Sequence, residues 1–339
     1  MKRYYCQCGH ETYFNNLHCN ACGSQLGFDP DKQALISLYQ NEREPYWLSH
    51  DGAGHRYQLC QHRDHEIQCN WLIDANSSHV QCMSCRLTRT IPMLSKPNNI
   101  QRWAVLESSK RRMIYGLLEM GLSVIAYTQE PDKGLAFDFL EDKRSNPMID
   151  DEYVYSGHAQ GVITMNVAEA DSSYREATRE ALNESYRSLL GHFRHEVGHY
   201  YWERLVLPSS YYQAFQQLFG DEKQDYTETL NNYYNKGPVA GWEENYISAY
   251  ASMHPLEDWA ETWAHYMLMR ETIETAFNLQ ILPTLTPYSN FDVWMDEWMQ
   301  LVVVLNALNR SIGNADAYPF TISSTVRTKL KFIHQLVNG

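Results

Sequence analysis

The sequence predicts an α+β protein: a small cysteine-rich module followed by a larger domain of helices with a small sheet. Three observations carry this. All eight cysteines lie between residues 6 and 85 of 339. From 122 to 170 the apolar residues fall in short alternating or β-branched runs, the period of strands, while the flanking stretches repeat at three and four residues, the period of helices. The second helical stretch holds His195-Glu196-Val197-Gly198-His199, two histidines one turn apart on one helix face with a glutamate beside them.

Composition sets the class. With 44% hydrophobic and 13% aromatic residues the chain can bury a substantial core. A net charge of −13 argues against the basic footprint of a nucleic-acid binder or a polybasic membrane anchor. Met1-Lys2-Arg3-Tyr4-Tyr5-Cys6 lacks the apolar core of a signal peptide, and the longest apolar run, Leu301-Val302-Val303-Val304-Leu305, is too short for a bilayer. The expectation is a cytoplasmic protein with no nucleic-acid or membrane partner.

Residues 1–95 form the first module. Cys6, Cys8, Cys19 and Cys22 make one group and Cys60, Cys69, Cys82 and Cys85 a second. Without an export signal, such pairs read as metal ligands rather than disulfides. Cys19/Cys22 and Cys82/Cys85 have the gap of zinc knuckles, whose turn points both sulfurs at one ion. Cys6/Cys8 is tighter and Cys60/Cys69 wider. His10, His18, His62, His65 and His79 lie close enough to replace a sulfur, although solvated surface positions are their simpler expectation. The module holds eight Lys and Arg against nine Asp and Glu, and two four-thiolate zinc centres, each formally about −2, deepen that deficit. It is a poor phosphate binder and reads as a metal-stapled structural or protein-docking unit.

Residues 96–122 form a connecting helical segment, with Trp103, Leu106, Met113, Ile114, Leu117 and Leu118 at helical spacing and Gly121 as a stop. The second domain, 123–339, opens on strand-like runs at 123–127, 135–140 and 161–167. The last is either an edge strand along a cleft, able to pair with an extended peptide, or an ordinary sheet strand, which the pattern favours. Ser173 and Glu176 have the form of a capping box, and Leu182, Tyr186, Leu189, Leu190, Phe193 and Val197 continue at helical spacing until Pro208. One long buried helix is expected to carry the motif.

On that helix His195 and His199 can offer two imidazole nitrogens to one zinc ion, and Glu196 can take a proton from a water held there. Zinc-assisted amide hydrolysis needs those residue types at that spacing. A catalytic zinc takes three protein ligands and keeps a fourth position open. A histidine six residues beyond His199 is excluded, since that position is Leu205, and Trp202 stands where that motif needs glycine. The other common answer is a glutamate on a later helix. Pro255 suits a first helical turn, and Glu257, Glu261 and His265 then share one face. Glu257 is assigned to zinc and Glu261 to the other nitrogen of a ligand imidazole, with the reverse assignment open. Histidines 192, 254 and 265 read as neighbours of the site. The ligand sets of four, four and three imply three zinc ions, two structural and one catalytic. Loops such as 220–248 are expected to form the selecting pocket.

The layout of His195, Glu196, His199 and Glu257 resembles the gluzincin class of zinc metallopeptidases. Tyr250, seven residues before Glu257, resembles the tyrosine that lines the zinc site in the anthrax lethal-factor-like branch. The runs Cys69–Leu72, Cys82–Pro92 and Leu190–Trp202 are similar to a bacterial family of zinc-binding metallopeptidases with an N-terminal zinc ribbon. The resemblance spans most of the chain. It implies a gluzincin-type domain behind a zinc ribbon and a peptide or protein substrate. Glu196 would act as general base, and Tyr250 as donor to the oxyanion or to the leaving amine. Two rivals stand beside it: a non-catalytic zinc-binding docking protein, and a zinc hydrolase of a non-peptide amide.

Overall fold

The computed structural model describes every residue except 42, 53, 65, 151–152, 182–186 and 284–289, so His65, Leu182 and Tyr186 lie outside the described residues. The chain divides into two compact units, Lys2–Tyr174 and Arg175–Gly339, the second including Met1.

In the first unit β1 (Tyr4–Tyr5) and β2 (Glu11–Thr12) pair antiparallel, with Cys6 and Cys8 between them. The strands β3 (Gln25–Asp29), β4 (Ala34–Gln40), β5 (Trp47–Ser49), β6 (Arg56–Leu59) and β7 (Leu72–Asp74) form an antiparallel sheet in chain order. The first strand curls back onto the chain entering the last: Phe28 bridges Trp71, and the Phe28 N–H donates to Asn70 O at 2.7 Å. Gly27 permits this approach, since a Cβ there would stand 2.2 Å from Cδ2 of the buried Leu72. Phe28 packs against Phe14 and Trp71 at ring distances of 4.9 and 5.0 Å. The cysteines therefore share a unit with a real apolar core, where the sequence reading expected little beyond the metal.

The same unit holds β8 (Thr88–Thr90), α1 (Asn99–Glu119), β9 (Ala136–Leu140), β10 (Gly157–Ala159) and β11 (Val162–Asn166). Their sheet has the order β10-β11-β9-β8, with β8, β9 and β11 mutually parallel. Burial on both faces suits the apolar run of β9. One sequence expectation needs correction here. The run at 123–127 makes only a bridge, Ala126 to Leu135. The run at 161–167 is the ordinary sheet strand its pattern favours, with β11 lying between β10 and β9.

α2 (Ser172–Ala181) spans the division between the units, and α3 (Leu189–Tyr201) carries the motif. The motif helix is shorter than expected. Ser188 caps it, accepting a hydrogen bond from the Gly191 N–H at 3.0 Å, and a serine that satisfies an exposed amide in this way starts a new helix. Trp202–Val206 continue as a π-helical turn. Then come α4 (Tyr212–Phe219), α5 (Tyr226–Lys236), α6 (Pro255–Asn278), α7 (Phe291–Ser311) and α8 (Ser324–Asn338). The described residues of this unit contain no strand; β8 to β11 lie within Lys2–Tyr174.

α6 is the axis of the second unit, packed by α3, α4, α7 and α8. Its start follows from local chemistry: the His254 side chain accepts from the Leu256 N–H at 3.1 Å, Pro255 opens the first turn, and Glu257 and Asp258 favour the positive helix end. Trp259 and Trp263 are fully buried, Tyr201 stacks on Trp263 at 5.2 Å, and buried Asp258 pairs with Lys329 of α8 at 2.6 Å. Among the described residues no helix is long and apolar enough to cross a membrane.

Candidate metal centre and active site

α3 and α6 must approach closely for their side chains to meet, and Gly198 allows it. A Cβ on Gly198 would come within 3.1 Å of Ala260 Cα and 3.2 Å of Trp263 Cβ. Gly198 O also accepts a hydrogen bond from Trp259 Nε1 at 2.8 Å. The glycine between the two histidines thus sets the interhelical distance.

At this crossing the donor atoms of His195, His199 and Glu257 lie within 4.8 Å of one another. His195 Nε2 is 3.3 Å from His199 Nε2 and 3.0 Å from Glu257 Oε2, and His199 Nε2 is 3.5 Å from Glu257 Oε1. Tetrahedral zinc with bonds of about 2.0–2.1 Å spaces its ligands about 3.3 Å apart. The three groups can therefore hold one ion with one atom each, which leaves a fourth tetrahedral position for another ligand. Glu261 stays outside this set: its Oε1 meets His195 Nδ1 at 2.7 Å, and its Oε2 accepts from Ser248 Oγ at 2.6 Å. A proton on Nδ1 shared with Glu261 leaves the Nε2 lone pair facing the cluster.

Burial opposes every charge here, and pairing outweighs it. Desolvation pushes Glu257 up, but His199 and His195 hold its carboxyl well below the ordinary range. Desolvation likewise opposes ionised Glu261, yet the hydrogen bond from His195 brings its pKa down to about 2. His195 in turn is raised well above the usual histidine value, because Glu257 and Glu261 overcome its burial. Protons and a metal ion compete for these same atoms.

Glu196 is buried beside this set, and its two oxygens differ. Oε1 lies 3.3 Å from His192 Nε2, whereas Oε2 has no hydrogen-bond partner among the described residues. Despite desolvation, His192 and His195 keep its pKa below the ordinary value, so it is a carboxylate with one oxygen anchored and one free to accept. Tyr250 opens a short 3-10 turn before α6, with its ring 6.1 Å from that of His195. Tyr226, the first residue of α5, donates to Glu257 Oε1 at 3.0 Å. Burial and the Glu257 charge raise both phenols, which stay protonated. His254 is the cap of α6, and His265 bonds through Nδ1 to Tyr318 OH at 2.8 Å; neither joins the donor set, nor does His192.

The cysteines gather as Cys6, Cys8, Cys19 and Cys22 and as Cys60, Cys69, Cys82 and Cys85, all as free thiols. Sulfur separations of 3.5 Å (Cys6–Cys22), 3.7 Å (Cys8–Cys19) and 3.6 Å (Cys69–Cys82) approach the roughly 3.8 Å edge of a tetrahedral zinc–thiolate centre. The first set has Cys8 and Cys22 exposed, while the second is buried throughout. No histidine joins either set among the described residues.

A family described as "Putative zinc-binding metallo-peptidase" matches residues 99–336, and a zinc-ribbon domain family matches residues 3–96. This chain belongs to that metallo-peptidase family. Uncharacterized proteins of Mycobacterium bovis and Mycobacterium tuberculosis are each 39% identical to it over 347 residues, an alignment covering 100% of this chain and 96% of theirs. No solved structure matches it significantly. Family membership and three metal-donor clusters together make this a zinc-binding protein.

The sequence reading missed three partners: Tyr226 on Glu257, Ser248 on Glu261, and the contact of His192 with Glu196. The first two lie 31 and 13 residues from the carboxylates they touch, and no spacing rule links them. His192 alone left a signal, since it stands four residues before Glu196 on one helix. The stretch 220–248, read as loops, contains α5.

Proposed function

We propose that this protein is a zinc-dependent peptidase of the gluzincin type, in which His195, His199 and Glu257 hold the catalytic ion. The carrying observation is Glu196 Oε2, a buried carboxylate oxygen without a hydrogen-bond partner among the described residues, next to a cluster of three metal donors. A purely structural zinc site has no use for such an acceptor. When bound, the zinc ion supplies Lewis acidity that acidifies water and polarises the scissile carbonyl.

The chain's own groups then divide the work. Glu196 accepts the water proton on Oε2 while His192 steadies Oε1, and the same carboxyl can deliver that proton to the departing amine. Tyr250 is a protonated phenol beside the cluster and serves as donor to the developing oxyanion or the leaving nitrogen, while Tyr226 donates to Glu257. Tyr250 holds the position, seven residues before Glu257, of the tyrosine in the lethal-factor-like layout. Glu261, steadied by Ser248, orients His195.

On this reading three zinc ions bind per chain, and the substrates are peptides or proteins. Elemental analysis after dialysis should find a stoichiometry near three, falling by one in His195→Ala. The decisive test is Glu196→Gln against wild type on a peptide library. Equal cleavage by the two would sink the mechanism and leave the docking-protein reading.

A further inference from the structure

We propose that a cavity along α5 is the subsite that selects the substrate's side chain, and that it takes a large apolar residue and rejects a basic one. This rests on the peptidase reading above. The cavity has a volume of about 290 Å³ and is lined by α5 and by residues 237–239 and 252–253. Thr229, Asn232, Tyr233 and Lys236 recur at three, four and seven residues and present one face of the helix to it. Val239 and Met253 stand among its other walls.

The cavity is linked to the metal centre through α5 and Tyr250. α5 begins at Tyr226, whose hydroxyl donates to Glu257, and one turn later Thr229 Oγ1 contacts Met253 Sδ at 3.5 Å. The Tyr233 ring meets the Tyr250 ring at 5.8 Å, and Tyr250 meets His195 at 6.1 Å. A peptide whose carbonyl stands at the His–Glu cluster can therefore place a neighbouring side chain against this face of α5.

Its chemistry is selective. Among the described residues, none that lines it is acidic, in a chain whose net charge is −13. Lys236 is the one charged group among the described lining residues, and its Nζ donates to Asn232 Oδ1 at 2.7 Å. An arginine or lysine entering would leave water, find no carboxylate and meet a like charge. A leucine, methionine or phenylalanine gains by leaving water against Tyr233, Val239 and Met253.

The test uses the full-length, zinc-loaded protein and peptides made from a bacterial proteome by a glutamate-specific protease, with new termini read by mass spectrometry. At one position flanking the cleaved bond, Leu, Met and Phe should be enriched roughly tenfold over Lys and Arg. Val239→Trp, at an exposed position, fills the cavity and should shift that preference to Gly and Ala. Lys236→Glu should admit Lys and Arg there. If circular dichroism shows Val239→Trp unfolded, Lys236→Glu decides alone. Cleavage with an unchanged preference in the folded variants would overturn the subsite and leave the peptidase reading standing. Cleavage no greater than by Glu196→Gln would overturn that reading, and the subsite with it.

Discussion

The second cysteine cluster and the His–Glu cluster both gather metal donors in buried surroundings, yet they differ in what they leave over. Cys60, Cys69, Cys82 and Cys85 supply four sulfurs, enough to close a tetrahedron, and every one is buried. His195, His199 and Glu257 supply three donors, and the next polar group, Glu196, keeps one oxygen without a hydrogen-bond partner among the described residues. The surroundings differ as well. Despite its desolvation, buried Arg111 has its pKa raised by the charges of Cys69 and Glu107 and then of Cys85 and Cys82. The His–Glu cluster is instead braced by neutral or anionic partners, Ser248, Tyr226 and Glu261. A closed set stores folding free energy, whereas on the proposed reading the three-donor set keeps a position for water and has Glu196 as its base.

Removing one ligand from the closed set should produce the largest effect. Structural zinc contributes folding free energy on the order of 10 kcal/mol, so Cys82→Ser should lose one zinc and melt the Lys2–Tyr174 unit while sparing the zinc at His195. Zinc content and thermal unfolding check this, and an unchanged melting temperature would erase the contrast. Cys8→Ser, in the half-exposed first cluster, should cost less.

Acid should weaken the unit holding the open set through His265. Burial depresses this imidazole to about 4, below its unfolded value of about 6.5. Above pH 6.5 both states are neutral there and stability does not change. As pH falls from about 6.5 to about 4 the unfolded chain takes up a proton that the folded chain refuses, and stability declines by about 3 kcal/mol. Denaturant titrations of wild type and His265→Phe over this range would show it; a variant with the same acid slope would exonerate His265.

Glu196→Gln comes next, with a rate loss of about 10² or more and zinc fully retained. His192→Gln keeps a donor for Glu196 Oε1 and should retain more activity than His192→Leu, with the difference in kcat rather than KM. Equal losses would make His192 a packing residue. The smallest effect distinguishes the two α6 carboxylates. Glu257→Gln should yield its zinc to a mild chelator, whereas Glu261→Gln should weaken metal affinity only roughly 10- to 100-fold. The reverse order would exchange their roles.

Much of the donor chemistry was legible from the chain. Cysteines three residues apart and histidines four apart are juxtaposed by the backbone turn or helix that joins them, whatever the rest of the protein does. The start of α6 was legible for the same reason, since Pro255 and the acids of its first turn act within a few residues. The five-stranded sheet of residues 25–74 was not, because its strands are short and gain their stability from pairing with one another. The motif helix was read too long, since its apolar period runs on through a boundary that Ser188 imposes.

By itself the sequence determined which residues can be donors and which lie together on one helix face or one turn, because those relations follow from covalent spacing. Only the tertiary structure decided which carboxylate meets which imidazole. Glu257 and Glu261 are both on the inner face of α6, one turn apart, and sequence spacing treats them alike. The close crossing permitted by Gly198 puts Glu257 on the Nε2 side of His195 and Glu261 on its Nδ1 side. Tyr226 and Ser248 reach these carboxylates from other elements. Such contacts depend on how helices pack across tens of residues, and on a distance that one missing Cβ sets.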